Sequence, residues 1–293
     1  MDRWPNFFIV GAPRAGTTSL HAYLNDIPGI FMSPIKEPNY FSRKLVPDDH
    51  LLLNPIREKS RYLSLFDKVS NEKIVGEASP LYLSDPEASK LIHDFSPNAL
   101  ILMSLRDPIE RILSHFTLII RDGGYEGSFH NKLLNELKYG ITDNTKPHLY
   151  LEAGLYSESV KRYLEIFGSK QVKIIIFEEF VKNPKKILEE ILDFLNISKN
   201  LSNFKFTIHN PFTSARNQNA EYVLTSKTIS KFSKLFLPFS TRKFLRQKIL
   251  TKKQEKPILE ENDRQILYEY YHDDVKKLKN ILTKDLPWPN FQK

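Results

Sequence analysis

An α/β fold with a central parallel sheet flanked by helices is predicted by three observations. Short apolar runs recur at 7–10, 100–105 and 172–177, unbroken in the first and interrupted only by Ser104 and Lys173 in the other two, as expected of buried strands. Each run leads into a segment of helical periodicity, and that alternation implies right-handed crossovers between parallel strands. The first run ends in a glycine-containing turn, at the edge where such sheets collect ligands. With 293 residues and 41% hydrophobic content, the chain can bury a large core. Residues 1–293 read as a single domain with long functional loops.

In order, Phe7–Val10 is the first strand and Thr17–Asn25 the helix after the turn, with Leu20 and Leu24 on its inner face. Ile30–Met32 is a short return to the sheet, expected beside that turn. Lys73–Gly76 is a short strand, and Asp85-Pro86 reads as the N-cap and first residue of a helix to Phe95. Strand Leu100–Leu105 is followed by a helix that Pro108 opens and that runs through Ile120. Residues 121–150 hold Gly123, Gly124, Gly127, Gly140 and Pro147, predicting loops around one helix near 130–139. A helix over Leu155–Phe167, a strand over Val172–Phe177 and a helix capped by Asn183-Pro184 follow. The last third is mostly helical: Tyr222–Leu237, a basic piece over Arg242–Leu250, and Glu260–Leu282.

The net charge of +8 is local. Residues 225–256 hold ten Lys/Arg and one acid, so that segment carries +9 and the rest of the chain about −1. Ile229, Phe232 and Phe236 share a helical face there, so the segment is a candidate membrane-surface or acidic-acceptor contact, or a packed helix with a solvated basic side. No nucleic-acid module accompanies the charge, so nucleic-acid binding is not expected. Without cysteine, disulfides are excluded. No apolar stretch reaches spanning length without charges, and a cytoplasmic protein is expected.

Gly11-Ala12-Pro13-Arg14-Ala15-Gly16-Thr17-Thr18-Ser19 lies between a predicted strand and a predicted helix. Glycines allow close backbone approach to an anion, and free N–H groups and the helix dipole favour negative charge. Arg14 adds a permanent cation, and Thr17 and Thr18 add hydroxyls. The Gly11-x4-Gly16 spacing is that of a nucleotide phosphate loop, but Thr17 stands where an NTPase needs Lys. ATP or GTP hydrolysis is thereby disfavoured. An ordinary strand-to-helix turn with a Thr cap is the plainer alternative.

These residues resemble the 5′-phosphosulfate loop of sulfotransferases that use 3′-phosphoadenosine 5′-phosphosulfate (PAPS). That loop has the form G-x-P-R/K-S/A-G-T-T, which Gly11–Thr18 matches throughout. A second segment, Arg106-Asp107-Pro108-Ile109-Glu110-Arg111-Ile112-Leu113-Ser114, resembles the family's 3′-phosphate element, R-D/N-P-x-E/D-R-x-x-S. The resemblance implies a nucleotide-kinase-like sulfotransferase fold, PAPS as donor and adenosine 3′,5′-bisphosphate (PAP) as product. It also implies that Gly11, Arg14, Ala15, Gly16, Thr17, Thr18 and Ser19 bind the 5′ end, and that Arg106 and Ser114 grip the 3′-phosphate. Arg216, after His209-Asn210-Pro211, matches a place where relatives bring an Arg to the phosphates. Glu178 or Glu179 after the third run and Trp288 near the end match the family's later elements.

Sulfuryl transfer to a hydroxyl requires the leaving phosphate to be neutralised, here by Arg14 and the N–H groups of 14–19, and a base for the hydroxyl. No carboxylate cluster or His/Cys spacing calls for a metal. Prolines at 34 and 38 stiffen Ser33–Phe41 into an extended stretch, in which Lys36 and Glu37 should point to different sides. The segment resembles K-E-P-x-F/Y-F of glycan-type sulfotransferases. That match implies Glu37 as base and Lys36 near the donor; a surface Lys-Glu pair is the alternative. His115 and Glu77 are the other candidate bases. Asn39, Ser42 and Ala78 depart from the heparan-specific pattern, so the acceptor stays open among glycans, glycolipids and small natural products. A small-molecule kinase, or a nucleotide-binding module without catalysis, is the competing reading.

Overall fold

A computed structural model describes residues 4–45, 55–121, 127–141, 148–198, 201–202, 204–206, 214–215, 251–252 and 259–292. The chain forms two compact units: Met1–Arg111, Leu151–His209 and Ile266–Lys293 make the first, and Ile112–Tyr150 with Asn210–Gln265 make the second.

The first unit is built on a five-stranded sheet of β1 (Phe7–Gly11), β2 (Ile30–Met32), β3 (Ile74–Ala78), β4 (Leu100–Leu105) and β5 (Val172–Ile176). The order is β2-β3-β1-β4-β5 and every pairing is parallel. One face is covered by α1 (Thr17–Asn25) and α8 (Pro184–Phe194), whose Leu20, Leu24, Ile187, Leu188, Ile191 and Leu192 pack on Phe7, Ile9, Leu102 and Ile175. Helices α3 (Ala88–Phe95) and α6 (Ser157–Phe167) pack together. The remaining α-helices among the described residues are α2 (Lys59–Leu63), α4 (Pro108–Arg121), α5 (Phe129–Tyr139), α7 (Phe177–Lys182) and α9 (Glu261–Leu282).

Three expectations change. Strand β2 lies at the sheet edge, with β3 between it and β1. Gly76 makes this possible, because a Cβ there would lie 2.7 Å from the Phe7 ring and 2.9 Å from the Met32 sulfur. Helix α3 starts at Ala88 and not at Pro86, because Asp85 is otherwise engaged. Its carboxylate accepts from Ser42 Oγ (2.9 Å) and from the backbone N–H groups of Lys44 (2.9 Å), Leu45 (3.0 Å) and Glu87 (3.0 Å). Third, β5 ends at Ile176, and Phe177 opens the extra helix α7.

In the second unit, Ser128 caps α5 by accepting from the Asn131 N–H at 3.2 Å, and Phe116 meets Phe129 edge-on. Ser214–Ala215 (β6) and Thr251–Lys252 (β7) form a short antiparallel pair. Arg216, the helices expected over 222–250 and all but two residues of the basic segment lie outside the described residues. No described helix is long and apolar enough to cross a membrane.

Candidate active site

At the carboxyl edge of the sheet, β1 runs out into the loop 12–16 and then into α1. Neighbouring β4 clamps this loop: Ala12 N–H donates to the Ser104 carbonyl (2.6 Å), Ser104 Oγ donates to the Ala15 carbonyl (2.6 Å), and Arg106 Nη1 donates to the Arg14 carbonyl (3.0 Å). Gly16 is the N-cap of α1 at φ 78°, in the left-handed region glycine favours, and no side chain caps the helix. The N–H groups of its first turn are therefore left to an anion. A Cβ at Gly16 would come within 3.0 Å of the Phe177 ring.

The Arg106 guanidinium lies over that same ring, 4.7 Å from its centroid, and 3.9 Å from Glu110. Burial pushes its pKa down, while Glu178 and Glu110 oppose the shift. Its Nε is buried and without a hydrogen-bond partner. A buried, pinned guanidinium with an unused donor fits an anionic group. Asp107 holds the turn into α4: its Oδ1 accepts from the N–H groups of Ile109 (2.9 Å) and Glu110 (3.3 Å), and its Oδ2 from Asn290 Nδ2 (2.8 Å). Glu178 spans the turn, accepting from the Asp107 N–H (3.1 Å) and Trp288 Nε1 (3.0 Å), while Glu179 pairs with Lys284 at 3.0 Å. Glu178 and Trp288, matched only loosely from sequence, thus brace the Arg106 turn. Ser114 lies further along α4, in the second unit.

Lys36 and Glu37 do not point apart. Glu37 adopts φ 63° and Asn39 φ 51°, which breaks the extended alternation, and the Lys36 ammonium pairs with Glu37 Oε1. Both side chains keep solvent access, 21% and 39%. The Glu37 N–H donates to the Ala78 carbonyl (2.9 Å), and Ala78 is the register partner of Ile9, so Glu37 stands at the same sheet edge as the phosphate loop. His21, on α1, bonds the Ser33 carbonyl through Nε2 at 3.0 Å; burial lowers its pKa, Ser33 opposes, and Lys36 adds to the fall. Sequence reading passed over His21, although its spacing from Thr17 puts both on one helical face.

Glu77 is wholly buried and takes hydrogen bonds from Tyr62 Oη (3.0 Å), Tyr82 Oη (2.7 Å) and Ser79 Oγ (2.7 Å). In the second unit, His115 Nε2 bonds the His148 carbonyl at 3.0 Å and the ring meets Tyr150 edge-on. Among the described residues, no group of three or more His, Cys, Asp or Glu could hold a metal ion.

A family model for the sulfotransferase domain matches residues 5–281. The chain belongs to the sulfotransferase family. It is 31% identical to a sulfotransferase from Alicyclobacillus acidocaldarius whose crystal structure superposes with a TM-score of 0.73, covering 97% of this chain and 98% of that one. Retinol dehydratase, solved with androsterone and inactive cofactor PAP, shares the fold at a TM-score of 0.52 and 14% identity, covering 99% of this chain and 85% of that one. Human carbohydrate sulfotransferase 15 is 27% identical over 246 residues, covering 66% of this chain and 44% of that protein. The sulfotransferase chain thus spans about half the length of the curated relatives it matches.

Buried carboxyls give this sulfotransferase a pH-dependent stability. Burial raises Glu77 from 4.5 to about 7, against the three hydroxyl bonds and the Lys36 charge, and burial also raises Asp107 and Glu178. Between pH 4.5 and 7 the folded state keeps a proton on Glu77 that the unfolded chain has released, so stability falls as pH rises through that window. The Glu77 contribution is at most about 3 kcal/mol. Urea midpoints should drop between pH 5 and pH 7.5, and Glu77→Gln should flatten part of that drop.

Proposed function

We propose that this sulfotransferase moves a sulfuryl group from PAPS to a hydroxyl of a carbohydrate acceptor, with Glu37 as general base. The reading rests chiefly on the gathering, at one sheet edge, of the uncapped Gly16–α1 terminus, Arg106 with its unused buried Nε, and the accessible Lys36–Glu37 pair. PAPS, when bound, supplies the sulfuryl group and departs as PAP. The N–H groups of Arg14 to Ser19 and the Arg14 cation neutralise a 5′-phosphate, and the hydroxyls of Thr17, Thr18 and Ser19 add donors. Arg106 holds the 3′-phosphate, and Ser114 and Arg216 are further contacts to test. Glu37 takes the proton of the acceptor hydroxyl, and Lys36 serves the donor side. Glu77 is fully enclosed by its own donors, which favours Glu37 over it as the base. The human carbohydrate sulfotransferase supports a saccharide acceptor.

Turnover with PAPS against a panel of saccharide, glycolipid and small hydroxyl acceptors, read by mass for an added sulfuryl group, tests the reading. Activity should survive EDTA, and ATP should not serve as donor, because Thr17 replaces the phosphate-loop Lys. Loss of turnover on chelation, restored by Mg²⁺, with ATP accepted, would give the site to a kinase.

A further inference from the structure

The stretch that carries Glu37 is tied to the end of β3 by alternate backbone N–H groups. That of Glu37 reaches the Ala78 carbonyl, as in a parallel strand, at 2.9 Å. The next two find side-chain hydroxyls instead: Asn39 N–H donates to Ser79 Oγ (3.1 Å) and Phe41 N–H to Tyr82 Oη (3.2 Å). The left-handed turns at Glu37 and Asn39 prevent a regular ladder, so these hydroxyls replace the missing carbonyls.

A hydroxyl can donate or accept, and what fixes its polarity here is the Glu77 carboxylate in its ionised form, the one present above about pH 7. Ser79 Oγ gives its proton to Glu77 Oε2 and Tyr82 Oη gives its proton to Oε1, which leaves both oxygens with lone pairs for the amides. Tyr62 Oη donates to Oε1 as well, and no amide of the 37–41 stretch bonds to it. Besides these hydroxyls, Glu77 lies in the field of Lys36, and Tyr163 feels the Glu77 charge from α6. A buried carboxyl is costly unless fully hydrogen-bonded, and here each of its bonds has a direction.

We propose that Glu77 is a positioning residue, which sets the hydroxyls of Ser79 and Tyr82 as acceptors and so holds Asn39 and Phe41, and with them Glu37, in the reactive placement. It rests on Glu37 as the base. Glu77→Gln keeps the shape but turns an NH₂ toward one or more hydroxyls, which then lose their acceptor for the proton. Amide hydrogen exchange of Asn39 and Phe41, read at about pH 8 where wild-type Glu77 is ionised, should accelerate about three- to tenfold, while Ser33, whose N–H bonds the Gly76 carbonyl at 2.8 Å, keeps its rate. Turnover at saturating PAPS should fall about tenfold or more, with PAP affinity within about twofold of wild type. Ser79→Ala should free Asn39 alone, which serves if Glu77→Gln fails to fold. Tyr62→Phe keeps the packing on Tyr40 and Phe41 and should leave both amides protected.

Unchanged exchange at Asn39 and Phe41 in a folded Glu77→Gln would overturn the positioning role. So would equal acceleration at Ser33 and through β1, which marks general loosening. The exchange readout needs no activity, so it decides this role even if Glu37→Gln remains active and the base assignment falls.

Discussion

Glu37→Gln should lower acceptor sulfation by about a hundredfold or more, the usual scale of a lost general base. The substitution keeps the length of the side chain and a carbonyl oxygen for the Lys36 ammonium, and leaves the backbone bond to Ala78 untouched. The negative charge goes, and with it the capacity to take a proton. PAP affinity, read by calorimetry, should therefore stay at the wild-type value while turnover falls. Near-wild-type turnover in the folded variant would remove the role from Glu37. His115→Asn should then be measured, because His115 has its Nε2 on the His148 carbonyl and a ring nitrogen besides.

For Arg106→Ala, PAP should bind about ten- to a hundredfold more weakly, the cost of a lost charge-assisted contact. Affinity for AMP, which lacks the 3′-phosphate, should change far less. Wild type should accordingly prefer PAP to AMP by a similar factor. Arg106→Lys should fall between wild type and Ala: an ammonium is a point charge and cannot bond the Arg14 carbonyl, lie flat on Phe177 and offer a further donor together. Equal binding of AMP and PAP to wild type, or full PAP affinity in Arg106→Ala, would overturn the 3′-phosphate assignment.

The parallel sheet, α1, the loop after β1 and the turn after β4 were legible because each has a local signature. Phe7–Gly11 is an unbroken apolar run and Leu100–Leu105 one interrupted only by Ser104, and the loop and the Arg106 turn follow them directly. Strand β3 was half legible: Gly76 and Glu77 are poor strand residues, and they sit there because Phe7 and Met32 crowd one and three hydroxyls satisfy the other. Helix α7 hides behind an apolar run that continues to Phe177. The relation of Lys36 to Glu37 was misread because two residues with positive φ interrupt what the flanking prolines predicted. The Asp107–Asn290 bond joins positions 183 residues apart, and no local pattern carries such a contact.

Phe177 faces two clients at once, lying against Gly16 on one account and beneath the Arg106 guanidinium on the other. The three positions consequently form a set that cannot drift singly. A side chain at 16 demands a smaller ring at 177, and a smaller ring there strips Arg106 of its platform. Gly16→Ala and Phe177→Leu should thus each disturb the placement of Arg106, although neither residue bonds to it, and each should weaken PAP binding in calorimetry.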